Sequence, residues 1–262
     1  ALYFVGFFVI ATSCHGHAAQ QKPDPEYLTS YYLWLSVGGA LGGLFNVIAP
    51  YLFNDVYEYF IIVALSLLAM PTKRLTHKKF TMPPAKQAVP AVGAMIGIIW
   101  VVWSTGSDEV NDKKVHFQDR NFFGRSQVFE ENQAMFLKHG TTMHGLQLTE
   151  ENKQLMTTSY YYPVARLMEQ FPQQFFSRPF GVLGLGAGTV ACYGRDNQVM
   201  DFFEIDPLVI AIARNPDLFT YLRDCPPDSR VIQGDGRLEL AKQPSGRYNL
   251  LIVDVFTSDA IP

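Results

Sequence analysis

The run Phe180-Gly-Val-Leu-Gly-Leu-Gly-Ala-Gly-Thr189 constrains this chain more than any other stretch. An apolar strand leads into three glycines, Gly184, Gly186 and Gly188, and three acids follow downstream: Glu204, Asp235 and Asp254. Each acid stands at the end of, or just after, another strand-like run. This pattern is how an open parallel sheet holds a nucleotide-type ligand. The glycines let the backbone approach the ligand, and the carboxylates accept hydrogen bonds from its hydroxyls and amines.

The surrounding pattern supports such a sheet. Strands are expected over Phe180–Leu185, Val199–Ile205, Arg230–Gln233 and Tyr248–Asp254, with helices opening at Gly188, Pro207 and Gly236. The second of these helices is expected to run from Pro207 to Leu222. Short apolar strands alternating with helices imply right-handed crossovers and a parallel sheet. Upstream, Val115 to Leu148 alternates in strand fashion with breaks at Gly124, Gly140 and Gly145, which predicts a small antiparallel element. A helix is expected from near Thr158–Pro163 to Gln170, with Pro163 in its first turn.

Each candidate site residue has a functional and a plain structural reading. Glu204 lies twenty positions after Gly184, where a carboxylate accepts from ribose hydroxyls; otherwise it is a solvated acid at a strand end. The glycines themselves also fit a nicotinamide-dinucleotide fingerprint, Gly186-x-Gly188-x-x-Ala191. Asp235, between Gly234 and Gly236, can accept from an adenine amine or serve as a turn aspartate. If the last strand pairs beside the first, Asp254 faces the ligand, where it can take a proton from an attacking amine or neutralise a cation. Asp259 is either a second anion for a cationic substrate or a loop acid.

The amino-terminal part has a different character. Tyr31 to Asn54 holds no charged residue and is long enough to cross about 30 Å of hydrocarbon as a helix. Aromatic residues gather at both ends, and Gly38, Gly39, Gly42 and Gly43 form overlapping small-residue pairs that suit close helix packing in lipid. Val56–Met70 and Ala88–Ser104 are shorter apolar candidates. Between them, Lys73, Arg74, Lys78, Lys79 and Lys86 make a basic loop that the positive-inside rule places in the cytoplasm. A single crossing by Ala88–Ser104 would put the soluble half on the opposite side. The expectation remains a cytoplasmic soluble half, on the chemical ground that the ligand is cytosolic.

The chain is thus read as a partial transmembrane region (1–104), a linker with a small β-domain and entry helix (105–178), and a Rossmann-like ligand domain (179–262). Both ends read as cut, because Ala1 starts inside an apolar run and Pro262 follows a strand. A net charge of -3 and the lack of a basic patch with interleaved aromatics give no reason to expect nucleic acid. Three cysteines, Cys14, Cys192 and Cys225, match no zinc spacing and give no disulfide framework, so no metal is expected. Cys14-His-Gly-His17 is read as a loop at the end of a membrane helix.

Six segments in order carry a family resemblance: Arg120-Asn-Phe-Phe-Gly124, His139-Gly-Thr-Thr-Met-His-Gly-Leu-Gln147, Gly184-Leu-Gly-Ala-Gly188, Phe203-Glu-Ile-Asp-Pro207, Gly234-Asp-Gly236 and Asp254-Val-Phe-Thr-Ser-Asp-Ala-Ile-Pro262. Together they resemble the spermidine synthase family, in particular its membrane-fused bacterial members. The resemblance spans about Val115 to Pro262, and Ala49-Pro50 and Glu58-Tyr59 in the apolar half also look like that group.

The resemblance implies a class I methyltransferase-like sheet preceded by a small β-domain. It also implies an aminopropyl transfer from decarboxylated S-adenosylmethionine to a polyamine such as putrescine, at a bacterial inner membrane. By position, Glu204 would hold the ribose and Asp235 the adenine, with Gly184, Gly186, Gly188, Ile205 and Gly236 also binding the donor. Asp254 would be the base; Gln147 with Tyr160 or Tyr161 would line the site, and Asp259 would face the polyamine. The partners expected are a small polyamine and membrane lipid, with a second copy of the chain as a further candidate. Soluble relatives carry an aspartate that grips the donor's ammonium where this chain has Ala187. The alternatives are a methyltransferase using intact S-adenosylmethionine, and a transporter or sensor that binds an adenosyl ligand without chemistry. A nicotinamide dehydrogenase ranks last, for want of a hydride-transfer partner.

Overall fold

The computed structural model describes residues 2–69, 113–156, 159–171, 177–225 and 228–255. The basic loop, the segment Ala88–Ser104 and Asp259 lie outside these described residues. The chain divides into two compact units, Ala1–Asp108 and Glu109–Pro262.

In the first unit, helices α1 (Leu2–Gln20), α2 (Leu28–Leu52) and α3 (Tyr57–Ala69) are separated by a 3₁₀ turn at Pro25–Tyr27 and a short bend. Cys14-His-Gly-His17 lies inside α1 rather than in a loop. The helix runs past it to Gln20, and the Gln21 amide closes the last turn on the His17 and Ala18 carbonyls, two residues ahead of Pro23. Together, Pro25–Leu52 covers 28 residues and contains an 18-residue stretch with a mean hydropathy of 1.5, long and apolar enough to cross a membrane. Leu33, Trp34, Leu41 and Leu44 of α2 are exposed. The face expected to receive a neighbouring helix stands open as well: a Cβ at Gly38, Gly39, Gly42 or Gly43 would meet nothing within 4 Å.

The second unit contains two four-stranded sheets among the described residues. The first is an antiparallel meander, β1 (Lys114–Asn121), β2 (Gly124–Glu131), β3 (Ala134–His139) and β4 (Thr142–Leu148). Its β2–β3 turn uses Asn132 and Gln133, both at positive φ, the twist that a two-residue hairpin requires. A 3₁₀ turn at Ser159–Tyr161 then runs into α4 (Tyr162–Gln170), with Pro163 in the first turn as expected.

The second sheet is parallel, in the order β7-β6-β5-β8. Its strands are β5 (Phe180–Leu183), β6 (Val199–Glu204), β7 (Asp228–Gln233) and β8 (Leu250–Val253). The last strand does pair beside the first, with Leu183 opposite Val253. Two side-chain sets alternate along the strands. Phe180, Val182, Met200 and Phe202 pack with Ile210 and Ile212 of α5 (Pro207–Arg214) and with Val128 and Leu137 of the meander, so both sheets share one core. Each such fully buried side chain contributes about 1.5–3 kcal/mol.

On the opposite face of β6, Asp201 is buried and its charge is compensated in place. Arg247 donates to Asp201 Oδ2 from Nε (3.0 Å) and Nη2 (2.8 Å), and the Tyr248 hydroxyl joins at 2.8 Å. Arg230, opposite Asp201 in register on β7, brings Nε to 3.1 Å of Oδ1. The Tyr248 hydroxyl is pushed up to about 12 by burial and by the Asp201 carboxylate.

Two expectations are corrected here. The helix expected over Pro207–Leu222 is broken into α5 and a short α6 (Tyr221–Asp224), because Asn215 precedes Pro216 and adopts an extended ψ of 110°. Cys192 and Cys225, with Cα atoms 4.8 Å apart, form a disulfide although the odd cysteine count suggested none. The bridge joins the 3₁₀ turn Thr189–Tyr193 to the end of α6.

Candidate functional site

The carboxyl ends of β5, β6, β7 and β8 bring together most of the residues singled out in the sequence. After β5 the backbone turns through Gly184 (φ 90°), Gly186 (φ 54°) and Gly188 (φ 88°). A reason for glycine within the chain itself stands beside the one expected. A Cβ on Gly184 would stand 2.2 Å from the Asp254 carbonyl oxygen, and one on Gly186 would stand 2.4 Å from the His144 carbonyl oxygen. The turn is squeezed between β8 and the meander, so chain-to-chain contact already demands glycine there. Ala187 is buried, with its Cβ 2.4 Å from where a side chain on Gly145 would begin.

Glu204, half-buried at the end of β6, reaches this turn. Its Oε2 accepts from the Leu185 amide at 3.0 Å, and its Oε1 accepts from the Asp206 amide at 2.9 Å. Burial raises the carboxyl above its ordinary value, and the backbone hydrogen bonds from Asp206 and Leu185 act against that rise. Each oxygen keeps a further lone pair for a ligand hydroxyl. Ile205 beside it is exposed.

Asp235 follows β7 as the N-cap of α7 (Gly236–Ala241), where its Oδ1 accepts from the Leu238 amide at 3.0 Å. The turn role weighed for it is therefore present, on an exposed side chain. Gly236 opens α7 against Leu183, which would be 3.3 Å from a Cβ there.

Asp254 immediately follows β8, tied to β5 by its amide, which donates to the Leu183 carbonyl at 2.9 Å. Its Oδ1 accepts from the Tyr160 hydroxyl at 3.1 Å, and its Oδ2 accepts from the Tyr161 hydroxyl. Burial first, and then the Asp254 charge and hydrogen bond, raise the Tyr160 hydroxyl above its usual value. Tyr161 is raised as well, by burial first and then by its hydrogen bond to Asp254. The two rings meet edge to face at 4.8 Å, and Tyr193 abuts Tyr161 at 6.2 Å.

Gln147, expected to line the site, is held by hydrogen bonds within the chain. It is buried on β4, where its Nε2 donates to Thr220 Oγ1 (2.9 Å) and to the Gln154 carbonyl (3.2 Å). Its Oε1 accepts from the Thr220 amide at 2.9 Å. The whole amide is spent on clamping the meander to the segment before α6. Among the described residues, no group of three or more His, Cys, Asp or Glu side chains is arranged to hold a metal ion.

The sequence reading assigned no site role to Asn121, His139 or Asp206, which gather beside Glu204. Asp206 caps α5, its Oδ1 accepting from the Leu208 amide at 2.8 Å and from Asn121 Nδ2 at 2.5 Å. His139 Nε2 stands 3.5 Å from Asp206 Oδ2. Burial raises the Asp206 carboxyl, but His139, Asn121 and the Leu208 amide outweigh it and hold the group below the usual carboxylate range. The only sequence signal was their inclusion in three of the six ordered segments.

Comparison with known proteins adds a limited finding. No protein-family model matches the chain, and no curated protein does. Among solved structures it is similar to the crystal structure of spermidine synthase from Thermotoga maritima, at 14% identity and a TM-score of 0.38 over 55% of this chain and 47% of that one. It is similar also to a probable spermidine synthase from Corynebacterium glutamicum, at 14% identity and a TM-score of 0.40 over 56% of this chain and 53% of that one. The chain spans about half the length of each of these structures.

Proposed function

We propose that the Glu109–Pro262 unit transfers an aminopropyl group from decarboxylated S-adenosylmethionine to an amine of a polyamine such as putrescine. The observation that carries this reading is the Asp254 carboxylate, held by two tyrosine hydroxyls and fixed to β5 beside the glycine turn. A base of fixed orientation is what an amine nucleophile requires.

In this reading Glu204 takes the ribose hydroxyls and Asp235 the adenine amine, with Ile205 and Gly236 against the ring system. The glycine turn bounds the sulfonium side. The amine nitrogen attacks the methylene next to sulfur, the carbon–sulfur bond breaks, and its electron pair stays on sulfur to leave a neutral thioether. The proton lost by the new ammonium goes to Asp254. Tyr160 and Tyr161 orient the carboxylate and line the approach of the polyamine. The sulfonium is already a good leaving group, so alignment of the reacting atoms is the main contribution asked of the protein. The helix Pro25–Leu52 would anchor the chain in the membrane, with the catalytic unit on the cytoplasmic side where the donor is made.

Asp254→Asn tests the assignment of the base. Turnover should fall to background while the variant still binds the donor; unchanged turnover rules the assignment out.

A second reading, methyl transfer from intact S-adenosylmethionine, is favoured by Ala187. This buried side chain offers no anion to the ammonium of a decarboxylated donor.

A further inference from the structure

The antiparallel meander reaches the Glu204 carboxylate through two hydrogen-bonding steps. Asn121 closes β1, and its Oδ1 accepts from the Phe123 amide at 2.8 Å. That bond fixes which way the amide group faces, so Nδ2 is the atom presented to Asp206 Oδ1, 2.5 Å away. His139 closes β3 and approaches the other carboxylate oxygen of Asp206. It is pressed there by the β1–β2 hairpin, since a Cβ on Gly124 would stand 2.9 Å from its Nε2. Asp206 is 97% buried, and its own amide donates to Glu204 Oε1 at 2.9 Å. Two side chains of one sheet therefore grip the residue whose backbone sets the position of a carboxylate on the other sheet.

We propose that Asn121 and His139 are positioning residues for Glu204, acting through Asp206, and that they set how strongly the site discriminates ligands by their ribose hydroxyls. The proposal rests on the reading of Glu204 as the ribose acceptor. If Asp206 shifts, the Glu204 oxygen bonded to its amide shifts with it. A hydrogen bond to hydroxyls that depends on angle and distance then weakens, while the stacking and apolar contacts of the base do not. The meander thus belongs to the ligand site through these two residues, 85 and 67 positions upstream of Asp206.

The test uses the full chain in detergent and two probes, 5′-methylthioadenosine and its 2′,3′-dideoxy analogue. Wild type should prefer the hydroxyl-bearing probe by tenfold or more, about what hydrogen bonds to a charged group supply. Glu204→Gln should erase that preference. Asn121→Ala and His139→Ala should each narrow it several-fold, and Asn121→Ala should add nothing in the Glu204→Gln background. His139→Gln, whose Nε2 can still donate toward Asp206 Oδ2, should regain most of the preference lost in His139→Ala, and this variant carries the test if an alanine variant does not fold. Equal weakening of both probes by the two alanine variants, as a merely structural role would give, overturns the proposal. So does an unchanged preference in those variants. A wild-type protein without ribose preference overturns the reading of Glu204 itself, and the proposal falls with it.

Discussion

Gly184 and Asp254 touch through their backbones: a Cβ on the glycine would lie 2.2 Å from the aspartate's carbonyl oxygen. The contact holds the glycine turn and the candidate base in one rigid corner of the sheet. Gly184 also sits at φ 90°, a conformation that L side chains rarely adopt. Gly184→Ala should therefore cost at least about 2 kcal/mol, from backbone strain plus the clash, and should weaken ligand binding. The fall in melting temperature of the purified chain checks this, and an unshifted melt contradicts the packing described.

Removing the Tyr161 hydroxyl leaves Asp254 with one donor instead of two. Tyr161→Phe should lower turnover by about 1.5–3 kcal/mol, or ten- to a hundredfold, with little change in donor affinity. The same variant should alter the response to alkali. Tyr161 titrates above its ordinary value near 10.0 when folded, so its contribution to stability is fully present below that value. It is lost as the pH rises past 10, where the unfolded chain gives up the proton and the folded one keeps it. The drop in melting temperature above pH 10 should be shallower in Tyr161→Phe than in wild type.

Asp201 holds Arg247 and Tyr248 by hydrogen bonds and faces Arg230 across the sheet. Asp201→Ala leaves two cations without their counter-charge. It should destabilise the unit by about 3 kcal/mol, the lower end for breaking a buried pair because both arginines keep access to water. Hydrogen exchange of the β6 and β7 amides should quicken together.

The Gln147 amide is committed to Thr220 and Gln154. Gln147→Ala should cost about 1–3 kcal/mol of stability, as buried partners lose their bonds. At temperatures well below the melt, its donor affinity should stay within a few-fold of wild type. A large affinity loss without a stability change would instead mark Gln147 as a ligand contact.

The parallel sheet was legible because its signals are local: a glycine turn, then acids ending successive apolar runs; the pairing of β5 and β8 stayed a condition until the fold supplied it. The break in the helix after Arg214 was missed although its signal is local, since Asn215 precedes a proline and is thereby pushed out of the helical region. What the sequence hid are partnerships across long separations. Gln147 and Thr220 are 73 residues apart, and Asn121 and Asp206 are 85 apart. No periodicity encodes either pair; only the docking of the meander on the sheet creates them. The cysteine count misled for a similar reason, because Cys14 belongs to α1 in the first unit while Cys192 and Cys225 meet in the second.

Thiol labelling checks that last point. Under denaturing, non-reducing conditions one cysteine, Cys14, should react with a maleimide, and all three should react after reduction. Three reactive thiols before reduction would show the pair to be open in the protein as isolated, as a reducing cytoplasm would leave it.

The most direct measurement is a calorimetric titration of the full chain with decarboxylated and with intact S-adenosylmethionine, side by side. Tighter binding of the decarboxylated donor is the result predicted for aminopropyl transfer, despite Ala187. Preference for the intact donor would contradict that account in favour of methyl transfer, and failure to bind either would contradict an adenosyl site altogether.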